Sequence, residues 1–278
     1  MEKARDVVKK IFKILLKPEM RILPAHLAFY LFMTIIPLVA LITTLAAAMS
    51  ISTETVKSAI LAHVPIEIVG ILNSITSGKG INFNIIVFYL SALLLASNGT
   101  HSMINASNEI YKVTPNGILS RRIKAIFMTF ILLGLFILLL IVSVFGTTLF
   151  NVIKEVSGDG MLASTIQNLM IFLKYPFIIL TLFLNIKIMY VISPDREIPS
   201  NTTNKGSVFT TIGWVLTTEI YAFYVEHFAS YNVFYGSISN ILILMIWLYF
   251  LSYIYVFGMI INANDYQSKK EQEKEISW

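Results

Sequence analysis

Six polar residues succeed one another at helical intervals between two apolar stretches: Asn98, His101, Ser102, Asn105, Asn108 and Glu109. Steps of three and four place them on one stripe of a continuing helix. Hydrocarbon cannot satisfy such groups, so the stripe must face protein or enclosed water. It can wall a polar pathway or serve as interhelical hydrogen bonding. His101 and Glu109 are two turns apart, too loosely placed to be read as an acid–base pair. Lys112, Arg121 and Arg122 come next, and their cations can attract phosphate headgroups at a membrane surface. Lys174 and Glu219 are charges at similar depth in two apolar runs; they can pair with each other or snorkel outward separately. Gly206, Thr210, Gly213 and Thr217 form a small-residue face suited to close helix packing.

Other chemistry is hard to place. There is no cysteine, hence no disulfide, thiolate metal site or thiol nucleophile. His26, His63, His101 and His227 are scattered without metal-type spacing. Neither a phosphate-binding glycine loop nor a nucleophile elbow occurs. No catalytic residue, cofactor or metal is therefore expected, and the chain is read as a non-enzyme.

The elements that must position these residues follow from hydropathy. Of the 278 residues, 56% are apolar and only 13% charged, about half the charge of a soluble domain. A span needs about 20 apolar residues. Six fit, at about 27–49, 83–105, 125–150, 169–191, 207–222 and 239–261. The expected fold is an all-α polytopic membrane protein with its transmembrane domain over 23–264. Amphipathic surface helices are expected at 1–22 and 52–77, and a charged, frayed tail over 265–278. Sixteen of the 21 basic residues fall in the amino-terminal flank, the loops after spans two and four, and the tail. That asymmetry predicts cytoplasmic amino and carboxyl termini and a multi-pass location in the plasma or inner membrane. The same distribution explains the net charge of +5 without nucleic acid. Membrane lipids, anionic phospholipid above all, are the expected partners, with the oligomeric state open.

Several stretches together carry a family resemblance. They are AHLAFYLFMTIIPL (Ala25 to Leu38), NASNEIYKV (Asn105 to Val113), Tyr190 with Pro194, Tyr224-Val225 leading to Tyr231-Asn232, and YGSISNILILMIWLYFLSYIYVFGMIINAN (Tyr235 to Asn264). In order and spacing they resemble the YihY/BrkB family of bacterial inner-membrane proteins, of the UPF0761 type. The resemblance implies a six-helix membrane protein. Members have been labelled a tRNA-processing ribonuclease, a serum-resistance factor and transporters, and some are linked to envelope lipid movement. The expected function is a transporter or flippase-like protein for a lipid-type or amphipathic anionic solute. A non-transporting envelope scaffold is the alternative. A membrane-associated ribonuclease is the weakest reading, because the cytoplasmic loops offer no clustered carboxylates or histidines for a metal.

Overall fold

The computed structural model describes residues 14–48, 83–157, 161–228 and 237–276. Six long helices account for most of them: α1 (Pro18–Ala48), α2 (Phe83–Tyr111), α3 (Ile118–Ser157), α4 (Met161–Ile192), α5 (Asn204–Phe228) and α6 (Ser237–Ile276). A 3-10 turn, Ser200–Thr202, precedes α5. Residues 1–13 of the expected amino-terminal surface helix, and all of the expected pair over 52–77, lie outside the described residues.

The helices outrun the apolar stretches that suggested them. α1 begins at Pro18, a residue whose fixed φ and missing N–H suit a first helical position. It continues through Pro24 into the expected first span, so no break separates a surface helix ending at 22 from a span beginning at 27. α3 starts at Ile118 rather than 125. α6 runs to Ile276, absorbing the residues expected to form a frayed tail. Lys, Glu and Gln are good helix formers, so each helix persists where hydropathy falls away. A salt link also ties the extension down: Lys205 at the start of α5 pairs with Asp265 on α6, which pairs with Lys269 one turn on at 3.2 Å.

Each helix packs on the next in chain order, and α6 closes the series against α1. α2 touches α1, α3 and α6. Around Ala96 to Asn108 its shielded residues include Ser97, Thr100, Ser102, Ile104 and Ser107. Small and hydroxyl side chains let neighbouring backbones approach. Two of the hydroxyls bond locally or across the seam: Ser97 to the Leu94 carbonyl at 2.8 Å, and Thr100 to the Ala125 carbonyl of α3 at 2.8 Å. Outward faces are apolar and open, as at Phe127, Phe130, Ile212, Leu216 and Ile220. Among the described residues, Asn204–His227 and Ile241–Glu273 are long and apolar enough to cross a membrane.

The α2–α3 turn carries an unusual stop. Lys112 has φ 53°, a left-handed conformation that glycine adopts most easily. Its N–H bonds the Glu109 carbonyl at 3.2 Å, and the Val113 N–H bonds that of Asn108 at 2.9 Å. This pair of bonds is the Schellman ending of a helix, here with lysine where glycine is usual. Lys112→Gly is expected to raise stability by about 0.5–1 kcal/mol through relief of left-handed strain. Reversible unfolding in detergent checks this, and a lysine that contributed a net contact here would reverse the sign.

Candidate functional site

The polar stripe of α2 meets α3 and the loop after α4. Three asparagines each hold a different partner. Asn98 Oδ1 accepts from Arg122 Nη1 at 2.8 Å, and Asn105 Oδ1 accepts from Arg121 Nη1 at 2.7 Å. Asn108 bonds Asp195 twice: its Nδ2 donates to Asp195 Oδ2 at 2.8 Å, and its Oδ1 accepts from the Asp195 backbone N–H at 2.8 Å. Asparagine suits this duty because it both donates and accepts without a net charge. His101 lies 3.5 Å from Asn105 Nδ2, and Ser102 Oγ lies 3.1 Å from His26 Nδ1 on α1. Glu109 is exposed.

Asp195 is the centre of the charged part. Its side chain is 0% exposed. Lys124 Nζ donates to Asp195 Oδ1 at 2.9 Å and to the carbonyls of Ser193 and Pro194 at 3.0 and 2.6 Å. These bonds use all three ammonium protons. The Asn116 backbone N–H donates to Asp195 Oδ2 at 3.0 Å. Burial pushes the Asp195 carboxyl up, but Lys124, the Asn116 N–H and the Asn108 amide together pull it further down, to below its ordinary value. A cleft of about 350 Å³ borders this loop, lined by Asn116, Lys124, Asp195, Arg196 and Glu197 among others.

The two arginines are held differently. Arg121 bonds Asn105 and, through Nε, the Asn116 carbonyl at 3.1 Å. Arg122 turns the other way. Thr100 is level with Ala125, whose carbonyl it bonds. Arg122 precedes Ala125, yet its guanidinium reaches past Thr100 to Asn98 Oδ1 and the Leu94 carbonyl, the latter at 2.6 Å. Helical side chains ordinarily lean toward the helix amino terminus; this one runs toward the helix middle. Asn98 lies ten residues from Asn108, about 15 Å along α2.

Of the other residues singled out from the sequence, Gly206, Thr210 and Gly213 face α6. The Gly206 N–H donates to Asn262 Oδ1 at 2.7 Å, and the Tyr190 hydroxyl bonds Thr210 Oγ1 and the Tyr255 carbonyl, both at 2.7 Å. Thr217 lines an apolar groove between α5 and α6 with Tyr221 and Trp247. Glu219 is exposed on the outer face of α5. Lys174 lies on α4 with its side chain outside the described residues, so the Lys174–Glu219 pair lies outside them too. Lys112 is exposed and ends α2. Sequence reasoning missed Asp195, Asn116 and the Tyr190–Tyr255 stack, whose rings lie 4.7 Å apart. Asp195 gave little signal, since Glu197 in the same loop is equally acidic.

A family description, virulence factor BrkB, matches residues 12–277. The chain is a member of the BrkB family. This BrkB-family chain is 30% identical over 254 residues to the ribonuclease-like protein YfkH of Bacillus subtilis, covering 88% of this chain and 90% of YfkH. It is 26% identical over 98 residues to a UPF0761 membrane protein of Idiomarina loihiensis, 34% of each chain. Another, from Pseudoalteromonas translucida, is 35% identical over 68 residues, 24% of this chain and 22% of that one. No solved structure matches. The relatives named as membrane proteins and the apolar helices agree on a membrane location.

Proposed function

We propose that this BrkB-family chain is a six-span transporter or flippase-like protein of the cell membrane, with both termini cytoplasmic, acting on an amphipathic, lipid-type anion. One observation carries the reading. Arg121 and Arg122 are held by neutral amide and carbonyl oxygens, while the neighbouring carboxylate Asp195 is taken by Lys124. Two guanidiniums stand beside the α2 stripe with positive charge that their protein partners position but do not neutralise. An anion completes such a site through charge-assisted, bidentate bonds. The Asp195–Lys124 lock fixes the geometry from behind.

A nuclease reading, suggested by the name of YfkH, gains nothing from Asp195. Both of its carboxylate oxygens are engaged, by Lys124, Asn108 and Asn116, so a metal would have to displace them.

The test is movement of fluorescent anionic phospholipid between leaflets in proteoliposomes. Wild type is expected to accelerate it over empty vesicles. Asn105→Leu, which takes the acceptor from Arg121, is expected to slow it about tenfold, as loss of one charged hydrogen bond would. Equal rates for wild type, variant and empty vesicles would overturn transport and favour a scaffold.

A further inference from the structure

We infer that Arg122 forms a phosphate site for a membrane phospholipid, entered sideways from the bilayer through the α2–α3 seam. Where that lipid goes afterwards rests on the transporter reading; the binding itself is a separate matter.

Three features of the seam point there. The Arg122 guanidinium is spread between Asn98 Oδ1 and the Leu94 carbonyl. Two of its five N–H donors are used among the described residues, leaving three on a fixed, planar fork. The bond to Leu94 is at the exposed surface, so the fork is not sealed inside the bundle. Its surroundings are open and apolar: Leu90, Leu94 and Leu95 on α2, and Leu119 and Ile123 on α3, are 46–74% exposed.

In the proposed topology the Asn108–Asp195 bond lies at the cytoplasmic interface. Asn98 is then about 15 Å deeper, close to half the thickness of a hydrocarbon core. An arginine at that depth ordinarily snorkels back to the surface. This one extends inward, held by two acceptors. A cation at a lipid-facing seam calls for an anion that can reach it without crossing protein. A phospholipid phosphate, drawn inward while its acyl chains lie over Leu90, Leu94 and Leu95, meets that requirement. A soluble anion approaching from the cytoplasm does not.

Native mass spectrometry of protein released from phosphatidylglycerol nanodiscs tests the site. Wild type is expected to retain phosphatidylglycerol over headgroup-free diacylglycerol. Arg122→Gln is expected to lose at least about tenfold of that retention. Arg122→Lys, which keeps the charge but not the fork, is expected to fall between them and guards against misfolding. Because the chain has no cysteine, a spin label at Leu95→Cys reports its surroundings uniquely. Oxygen is expected to relax it more than an aqueous nickel chelate. Equal retention by wild type and Arg122→Gln would overturn the proposal. So would displacement of the lipid by inorganic phosphate, or dominant nickel accessibility, since either makes the site open to water. Retention at Arg122 without any leaflet exchange would overturn the transport reading alone.

Discussion

Gly206→Ala and Gly258→Ala are each expected to remove most of the folded protein recoverable in detergent. A Cβ on Gly206 would lie 2.1 Å from the Gly258 carbonyl oxygen and 2.5 Å from the Asn262 side chain. A Cβ on Gly258 would lie 2.1 Å from Thr210 Oγ1, 2.5 Å from the Tyr190 hydroxyl and 2.9 Å from the Gly206 carbonyl oxygen. The Gly206 obstacle is backbone, which cannot rotate away. Relief would require α5 and α6 to part, breaking the Gly206–Asn262 bond and the two bonds of the Tyr190 hydroxyl. Overpacking typically costs about 1–3 kcal/mol, and occasionally more; a backbone obstacle places Gly206 at the upper end. Gly213 meets only the Ile254 side chain, so Gly213→Ala should cost less. Gly117 and Gly134 have nothing within 4 Å, and alanine at Gly134, inside α3, should be neutral or stabilising by up to about 1 kcal/mol. Thermal unfolding of the four variants by size-exclusion fluorescence would rank them. If all four behaved alike, the α5–α6 contact would not be as close as described.

Asp195→Ala is expected to cost about 2–4 kcal/mol, somewhat below the range for removing one partner of a fully buried ion pair, because the Lys124 side chain is 22% exposed. Lys124 would keep its charge against the Ser193 and Pro194 carbonyls with no carboxylate opposite. Asn108 and the Asn116 N–H would each lose an acceptor. Lys124→Met in the same background should recover part of the loss, because it removes the stranded charge; a double-mutant cycle in chemical denaturation measures the coupling. The pH dependence has a definite sign. The folded carboxyl titrates below its ordinary value of 3.8. Its contribution is therefore fully present above that value and disappears as pH falls through the lower folded one. Wild type should lose stability relative to Asp195→Ala only in that acid range. A difference that instead changed near pH 6 to 7 would implicate a histidine.

Much of this was visible in the amino-acid string, for reasons that differ by residue. Asn98, Asn105 and Asn108 stood out because polar groups are conspicuous against an apolar background, and their spacing fixed a common face. What they bond could not be read. Partners 16 to 87 positions away depend on which helix lies alongside, and local periodicity is silent about that. Lys112, Arg121 and Arg122 looked equivalent as cations after span two. In three dimensions one terminates a helix, one braces a loop and one reaches inward, because each has a different neighbour. Gly206 and Gly213 were legible as a packing face through size alone, but their counterpart Gly258 stood out only as part of a family-like stretch, with no small-residue spacing around it to mark a contact. Helix ends were the least legible, since hydropathy marks where lipid stops and not where backbone hydrogen bonding stops.

The circular order of the helices bears on how the molecule is made. A ribosome releases α1 long before α6, yet α6 packs against α1. Met20 and Leu27, which are 2% and 0% exposed in the finished core shared with Met259 and Ile260, therefore lack part of their cover until α6 is made. Chains halted before α6 would carry an open seam at both α1 and α5. The carboxy-terminal helix thus acts as the clasp of biogenesis, and nonsense truncations ahead of it should leave little protein in the cell.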